Sequence, residues 1–471
     1  MAEAPATQSL RVTQARGHPS AVAVHAGAPA LALGHDGIDD LKVHLTWEST
    51  ARLVRPIRLR ITIARDLWGT SDLVAHGRRG EIGRVMLDHV DAFEHVDMVL
   101  RPCDPPEIDD GIVLSIDGPE TVDVFGLGAG EGGFFSPRLF NVEAHPSRPM
   151  QRLLDGIASP ASLQPFGWKL GCVLDGLLDL AAGSGESRFL HRARAHLAEF
   201  FDVDGLSYQD PWGRPVRGSI YGIEGLLPLA ALARLGEVER ARVMCDDFLP
   251  TFRRADGALS DHGMLSTEGM YTVAYPLALI GALAGREAFL TDAALQLRAR
   301  VRELRDGGIL LRHYEDGRVE FRDWLRAWTW YLLGLARTVP VLAEAGLEVG
   351  DLRAELGEIA EASLRWRGAD GLWHTYVDDP RTPLETSGSA GIAAAWAIGA
   401  RDGLLDPSWS DRARETANGL FPYVAAEGVV SGASQANKGG ERLQRSRYRV
   451  NSQVGTGLLA QLVAALPDPV I

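Results

Sequence analysis

The sequence has few of the features that tie a chain to a membrane, a disulfide framework or an extracellular compartment. Its cysteines number three, Cys103, Cys172 and Cys245, and no two of them form a CxxC pair. This spacing argues against a disulfide framework and against a thiolate zinc site. Residues 1–20 lack the unbroken apolar segment of a secretory signal, and no window approaches the roughly 20 apolar residues of a membrane span. We therefore expect a cytoplasmic protein with no membrane partner.

Positive charge is also scarce. The 471 residues include 48 Lys and Arg against 62 Asp and Glu, which gives a formal net charge of −14. Such a surface repels phosphate backbones, so nucleic-acid binding is not expected. The sequence contains no phosphate-binding loop and no metal-ligand spacing, and we therefore expect neither a cofactor nor a metal. A few local arginines are still enough to bind an anionic small substrate.

What is present divides near residue 145. Before it, apolar residues alternate, as from Leu41 to Trp47 and from Ile57 to Ile63, and this period of two is typical of strands with one buried face. Further strands are predicted at 96–100, 112–116 and 122–125, with turns such as Asp104-Pro105-Pro106. The pattern predicts an antiparallel β-sandwich-like accessory domain over residues 20–145, after an unordered segment 1–19.

After residue 145 the pattern becomes helical and repeats. Short turns recur between a charged amphipathic helix and a helix rich in small and aromatic residues: Asp204-Gly205, Asp256-Gly257, Asp306-Gly307, Asp370-Gly371 and Glu427-Gly428. The second helix of each pair is predicted to begin near Gly167, Ser219, Ser266, Phe321, Glu385 and Asn451. The charged partners are predicted near 149–157, 187–201, 237–252, 287–304, 351–367 and 409–424.

Six helix pairs can stack as an open solenoid or close into a ring. The second helices are apolar nearly all round, as in Leu277–Ala284 and Ala390–Trp396, which favours helices buried on every side. We therefore predict an (α/α)6 toroid over residues 146–471 that carries the catalytic site. In this fold the inner helices begin at one face, where the Asp-Gly turns build a cleft.

Two inner helices begin with an acid followed by glycine, Glu224-Gly225 and Glu268-Gly269. One interpretation is a pair of carboxylates that cap the helices. The other is general acid/base chemistry by facing carboxylates, the usual equipment of sugar hydrolysis. On the second interpretation Glu268 donates a proton and Glu224 positions water, with the roles open to exchange. His262 adds a titratable group beside them.

The fourth hairpin and helix, from His313 to Tyr331, hold an arginine among three tryptophans, Trp324, Trp328 and Trp330. An aromatic core stripe is one interpretation. A platform for a sugar ring is the other, with Arg326 clamping a carboxylate through its planar guanidinium.

The fifth hairpin adds Gly371-Leu-Trp373-His374 and then Glu385-Thr-Ser387-Gly-Ser389-Ala. Together with the Trp-Leu-Arg-Ala-x-x-Trp helix before it, this motif resembles the unsaturated uronyl hydrolases of glycoside hydrolase families 88 and 105. The resemblance spans about residues 146–465 and implies the same (α/α)6 fold. It also implies that His313, Arg326, Trp330, Glu385, Ser387 and Ser389 occupy positions of the family's functional residues.

Those families add water to the C4=C5 double bond of an unsaturated uronic acid. A carboxylic acid protonates C4, water adds at C5, and the hemiketal that forms opens and releases the partner sugar. The chain departs from their pattern at two aspartates: one register gives Ser219 or Ile220, and the other gives Met270, with Glu268 two residues away.

We therefore predict an unsaturated glucuronyl or galacturonyl hydrolase that acts on oligosaccharides. The alternatives are a saturated β-glucuronidase, a uronate lyase with Tyr271, Tyr448 or His262 as base, and a non-catalytic carbohydrate-binding protein. The β-domain could pair subunits into a homo-oligomer. The predicted catalytic residues are Glu268 and Glu224, and the predicted substrate-binding residues are Arg326, Trp330, His313, His262, Tyr271, Trp324, His374, Glu385 and Ser389.

Overall fold

The computed structural model describes residues 9–20, 27–35, 40–47, 56–101, 108, 110–141, 148–203, 205–261 and 263–467. Three residues named above, Cys103, Asp204 and His262, and the turn 104–106 lie outside these ranges. The chain forms two compact units. We call them the β unit, made of Met1–Ser147, Gln209–Pro215 and Gln435–Leu443, and the helical unit, made of Arg148–Tyr208, Val216–Ser434 and Gln444–Ile471.

The β unit consists of antiparallel strands that share one apolar core. Side chains such as Leu45, Leu59 and Leu114 alternate inward along their strands and are fully buried. The strands are β1 Ser9–Arg11, β2 Gln14–Arg16, β3 His18–Pro19, β4 Ala30–His35, β5 Asp40–Leu41, β6 Val43–Thr46, β7 Ile57–Thr62, β8 Thr70–Gly77, β9 Gly80–Asp88, β10 His95–Val99, β11 Ile112–Asp117, β12 Val122–Phe125 and β13 Arg138–Asn141. The sheets have the orders β1-β13-β7-β10, β2-β6-β11-β8-β9 and β12-β4-β3, with β5 paired to β4.

Two findings differ from the sequence expectation for this region. Residues 9–19, expected to be unordered, form β1 to β3, because their backbone groups pair with β13, β6 and β4. The β8–β9 hairpin was not predicted, and it packs beside β11.

The helical unit contains the predicted helix pairs. The inner helices are α2 Trp168–Ser184, α4 Leu227–Arg234, α6 Tyr275–Ala284, α8 Leu325–Glu344, α10 Thr386–Arg401 and α13 Gln453–Ala465. Among the described residues of this unit, these six helices pack in a closed cycle, α2 on α4, α4 on α6, α6 on α8, α8 on α10, α10 on α13 and α13 on α2. The outer helices are α1 Pro149–Ile157, α3 Ser187–Ala198, α5 Val238–Phe252, α7 Glu287–Leu304, α9 Gly350–Leu364 and α11 Trp409–Leu420, and a short α12 spans Gly440–Arg445.

Glycine allows the cycle to close between the last inner helix and the first. A Cβ atom at Gly457 of α13 would lie 2.6 Å from the carbonyl oxygen of Cys172 in α2. That distance is far below van der Waals contact, so only glycine permits this approach without displacement of the backbone.

The Asp-Gly turns behave as their sequences predict. The glycines at 205, 257, 307, 371 and 428 all have positive φ, a conformation that glycine adopts without steric cost. Short strands flank the turns: β14 Phe201–Asp202, β15 Gly205–Gln209, β16 Pro215–Arg217, β17 Met264–Ser266, β18 Leu310–Tyr314, β19 Val319–Arg322, β20 Trp373–His374, β21 Leu384–Glu385, β22 Val430–Ala433 and β23 Val450–Ser452.

The chain is thus mainly helical with an N-terminal β region, as the sequence predicts. Across the described ranges, no helix combines the length and the apolar character that crossing a bilayer requires.

Candidate active site

Glu224 lies on a 3₁₀ turn, Ile223–Leu226, that leads into inner helix α4. Burial raises the pKa of its carboxyl well above the usual range, and the negative charges of Glu268 and Asp261 add to this rise. The positive charges of Arg312 and Lys169 act in the opposite direction. Four charged side chains from three other inner-helix starts and hairpins therefore surround Glu224.

Glu268 follows β17 and begins the inner helix that continues as α6. Its side chain is 7% exposed, and five π-helical residues, Met270–Ala274, follow it. A π turn inserts an extra residue into a helix and is frequent at functional sites. The 3₁₀ turn of Glu224 contacts this π-helical segment, and the pairing of the two glutamates as acid and base stays a prediction.

The glycine after Glu268 is required by a buried arginine. A Cβ atom at Gly269 would collide with the guanidinium of Arg300, so the glycine makes room for this buried arginine rather than for a ligand. Arg300 donates hydrogen bonds to the carbonyl oxygens of Ser266 at 2.8 Å and Leu259 at 2.7 Å. It thereby fixes the hairpin that precedes Glu268.

Arg312 was not selected from the sequence; its Nη1 lies 3.4 Å from Glu320 Oε2, and the charges of Glu268 and Glu224 also act on it. It lies on β18, directly opposite Ser266 of β17. Burial disfavours its charged form, but the negative charge of Glu268, followed by Tyr314 and Glu224, leaves the pKa of Arg312 raised. Its neighbour His313 projects from the other face of the strand, as alternation requires, and its Nδ1 lies 3.8 Å from Glu303 Oε2.

Aromatic rings line the same region. The ring centroid of Trp330 is 5.5 Å from that of Trp168 and 6.2 Å from that of Tyr271, on which it stacks. Trp330 is 2% exposed, and within the described residues its indole N–H meets no acceptor. The platform for a sugar ring stays a prediction.

Tyr271 faces the interior of the helical unit. Its hydroxyl donates to Asp175 at 2.5 Å and accepts from Gln461 at 3.2 Å. Burial, followed by the charge of Asp175, raises the pKa of Tyr271 well above its usual value. Arg234 and Arg337 complete this buried network through ion pairs with Asp179. Tyr271 therefore packs against Trp330 inside the helical unit. Its raised pKa disfavours the ionised form that a lyase base needs.

A second network holds four more of the predicted residues. Glu385 is fully buried and caps α10 by accepting from the Gly388 backbone N–H at 2.5 Å. Its Oε1 also accepts from Ser387 at 2.6 Å and from Arg326 Nη1 at 3.3 Å. Ser389 donates to the Glu385 carbonyl at 2.6 Å.

Arg326 also binds groups of the protein itself. It is 3% exposed, and Nη1 donates to the carbonyl oxygen and to the hydroxyl of Ser434, both at 2.8 Å. Its guanidinium lies 4.3 Å from the ring centroid of Trp324, whose indole N–H donates to Gln444 at 3.1 Å. The clamp role of Arg326 stays a prediction, and these contacts favour a role in holding the start of α10.

The remaining histidines give no further support to the site. His374 makes a hydrogen bond of 2.5 Å between Nδ1 and the Thr382 carbonyl oxygen, and His262 lies outside the described residues. In the described part of the chain, no three His, Cys, Asp or Glu side chains group as metal ligands.

Sequence reasoning missed Arg312, Lys169, Asp261 and Trp168. Arg312 stands two residues after Leu310 in an alternating strand, and a register between the third and fourth hairpins would have placed it opposite Ser266. Lys169 and Trp168 begin the first inner helix, where the argument from helix starts could have been applied as it was to Glu224.

Known proteins share part of this sequence. Residues 264–465 match the model of Glycosyl Hydrolase Family 88. The unsaturated rhamnogalacturonyl hydrolase YesR of Bacillus subtilis (strain 168) is 31% identical over 121 residues, which are 25% of this chain and 35% of that protein. The match thus spans about a third of the length of this curated relative.

Solved structures share the fold over a longer stretch. A family 105 glycoside hydrolase of C. acetobutylicum ATCC 824 has a TM-score of 0.57 at 20% identity, covering 68% of this chain and 99% of that one. A family 88 glycosyl hydrolase from Bacteroides vulgatus has a TM-score of 0.53 at 14% identity, covering 68% and 99%. The predicted resemblance is confirmed: this chain is similar in sequence and fold to the glycoside hydrolases of families 88 and 105.

Proposed function

We propose that this protein is an unsaturated uronyl hydrolase, a glycoside hydrolase that adds water to the C4=C5 double bond of a terminal unsaturated uronic acid. The observation that carries the proposal is the packing of the Glu224 turn against the segment that follows Glu268, together with the raised pKa of Glu224, which burial and the charges of Glu268 and Asp261 cause. A proton donor and a base in one site are what vinyl-ether hydration needs. The family 88 match over residues 264–465 supports the same reaction.

We assign proton donation to Glu224 and activation of water to Glu268, the exchange of the first assignment made from sequence. The pKa of Glu224 is raised well above its usual range by burial and by two neighbouring carboxylates, which favours its protonated form. A carboxylic acid kept neutral by its surroundings is the usual form of a general acid.

The reaction then needs two proton movements. Glu224 gives its proton to C4, Glu268 takes a proton from water, and the oxygen of that water forms the new bond to C5. The resulting hemiketal opens and releases the partner sugar. The two glutamates end with their protonation states exchanged, and transfer of the proton back to Glu224 completes the cycle.

Arg312 and Lys169 are the residues that we assign to the uronate carboxylate. Both act on the charge of Glu224, and Nη1 of Arg312 also lies 3.4 Å from Glu320 Oε2. We assign the packing against the sugar ring to Trp168 and Trp330, whose rings meet edge to face.

Three further inferences accompany this function. The closed cycle of inner helices and the likeness to a family 105 structure support an (α/α)6 toroid. The antiparallel sheets of the β unit support a β-sandwich-like accessory domain. A cytoplasmic location and a homo-oligomer through the β unit remain predictions from the sequence.

Incubation with an unsaturated oligouronide made by a lyase tests the activity. An unsaturated rhamnogalacturonyl oligosaccharide is the first substrate to try, because the curated relative is named for it. We expect the ultraviolet absorbance of the conjugated double bond to fall with time, and no reaction on the saturated counterpart. An increase of absorbance on intact polymer would identify a lyase instead, and no change on any oligouronide would contradict the proposal.

A further inference from the structure

The turn that carries Glu224 is held by a residue from another hairpin. The backbone N–H of Ile223 points at the Asp261 carboxylate, with its nitrogen 3.1 Å from Oδ1 and 3.3 Å from Oδ2. The first N–H groups of a helical turn have no partner within the turn. An acidic side chain that accepts from one of them therefore stabilises the turn.

Asp261 supplies a cap that the local sequence cannot supply. The residue at the N-cap position of the turn is Gly222, which has no side chain. A Cβ atom at Gly222 would lie 3.2 Å from Asp261 Oδ2, so the carboxylate occupies the space next to the missing side chain. Asp261 of the third hairpin thus takes the place of a capping side chain at position 222.

The position of Asp261 is itself fixed from both sides. Asp261 and Met264 exchange backbone hydrogen bonds of 3.2 and 2.8 Å. Arg300 binds the carbonyls of Leu259 and Ser266, which flank this segment. The cap is therefore part of a rigid hairpin, and the same hairpin leads directly into Glu268.

We propose that Asp261 is a positioning residue, which holds the turn that carries Glu224 and places a third carboxylate beside the Glu224–Glu268 pair. This inference rests on the proposed function. The charged groups that act on Glu224 are Glu268 and Asp261, opposed by Arg312 and Lys169. Asp261 binds the turn of Glu224 and also disfavours the ionised form of Glu224, because it is a neighbouring negative charge.

Asp261→Asn separates the two effects, because the amide oxygen still accepts from Ile223 while the charge is removed. Asp261→Ala removes both. The matched control is Asp256→Asn, which changes an aspartate in the same hairpin that caps a backbone N–H, that of Ala258 at 3.0 Å. Neighbouring His262 is unchanged in all three variants.

The readout is the ionisation of Glu224 itself, followed by carbon-13 NMR of protein labelled at the glutamate carboxyls. The resonance that disappears in Glu224→Gln identifies the group. We expect its midpoint in Asp261→Asn to fall by roughly one pH unit, and the high-pH limb of kcat/KM to move down with it at unchanged KM. Asp261→Ala should in addition lower kcat at every pH, and Asp256→Asn should match the wild type.

An unchanged Glu224 midpoint in Asp261→Asn would overturn the inference, even if the melting temperature fell, because a purely structural cap does not act on the proton. The titration needs no substrate. A wild-type protein that hydrates no uronide would therefore refute the proposed function, while the role of Asp261 is still decided by the NMR midpoint.

Discussion

Two glutamates with the same local sequence have different surroundings in the folded chain. Burial and the charges of Glu268 and Asp261 raise the pKa of Glu224, while Arg312 and Lys169 act against this rise. A carboxyl next to like charges holds its proton more tightly. The property that suits Glu224 to the proposed role of acid therefore depends on neighbours that lie far away in the sequence.

Replacing either glutamate by glutamine should separate their roles. We expect Glu224→Gln and Glu268→Gln each to lower kcat by about 10²–10⁴-fold, the usual contribution of general acid–base catalysis, with KM little changed. The residual rate of Glu224→Gln should lack the high-pH limb of the pH profile, because the group with the raised pKa is removed. Steady-state kinetics across the pH range checks this. A high-pH limb retained in Glu224→Gln would contradict the assignment.

Arg312→Gln tests the binding of the uronate carboxylate. Hydrogen bonds to charged groups contribute about 1.5–3 kcal/mol, so we expect KM to rise roughly 10- to 100-fold on a uronide. A methyl-ester substrate, which lacks the charge, should show little difference between variant and wild type. Equal losses on both substrates would indicate that Arg312 serves the fold or the glutamates rather than the carboxylate.

Arg326→Lys distinguishes a clamp from a structural arginine. The ion pair with Glu385 and the bonds to Ser434 use the planar guanidinium. Lysine keeps the charge but cannot make all of these bonds at once, and a hydrogen bond to a charged group contributes about 1.5–3 kcal/mol. We therefore expect a lower free energy of unfolding, with KM of the remaining folded enzyme close to that of the wild type. Chemical denaturation and kinetics on the same preparation decide it. A normal denaturation midpoint with a raised KM would restore the clamp role.

At the scale of elements, small residues determine how closely the inner helices approach. Gly457 faces the Cys172 carbonyl, and Gly391 of α10 faces the Thr329 side chain of α8. Helices that meet through glycine come closer than the usual 8–10 Å between axes. The apolar composition of these helices therefore predicts burial, while their glycines set the spacing of the cycle.

Gly457→Ala should loosen the contact that closes the cycle. The added methyl would meet the α2 backbone, which cannot move as a flexible side chain can, and overpacking of this kind costs about 1–3 kcal/mol. The control is Gly183→Ala on the same pair of helices, where the nearest atom would be 3.6 Å away. That control should be neutral or slightly stabilising, because alanine favours a helix. Thermal melting of both variants measures the difference, and equal melting temperatures would refute the closing role.

At the scale of the whole molecule, the β unit is assembled from three separate stretches of chain. In this unit, Lys438 pairs with Asp66 at 3.0 Å and with Asp91 at 2.8 Å. Gln435 donates to Glu94 at 2.7 Å, and Trp212 stacks on Trp68. The segments 209–215 and 435–443 thus depend on residues of the first 147.

Deletion of residues 1–147 should therefore destabilise the remaining chain, although that chain still contains every inner helix. Trp212 and Lys438 would lose the partners that now cover or neutralise them, and exposed apolar groups promote association. We expect a low soluble yield and a lowered melting temperature. A truncated chain with Trp212→Ser and Lys438→Gln should recover part of the yield. A truncated protein as soluble and stable as the full chain would contradict this dependence.

Much of the fold could be predicted because each helix pair repeats the same local pattern. The glycines at the turns also share one physical cause, the positive φ of their backbone. The site was harder to predict. Glu385 and Glu224 both look like acids at a helix start, yet only the structure shows that Glu385 caps α10. In the fourth hairpin, His313 was selected from the sequence and its neighbour Arg312 was not. The register of β17 and β18 places Arg312 opposite Ser266, in the hairpin that leads to Glu268, and no single segment of the sequence encodes that register.

The division of the β unit into three stretches also constrains how such a protein can be inherited or rebuilt. A module encoded by one continuous stretch can be exchanged between genes by a single recombination event, but this one cannot. Any exchange that replaces residues 1–147 must also bring compatible residues at 209–215 and 435–443. The β unit and the helical unit should therefore have diverged together, and chimaeras with similar proteins will require three coordinated segments joined at five junctions.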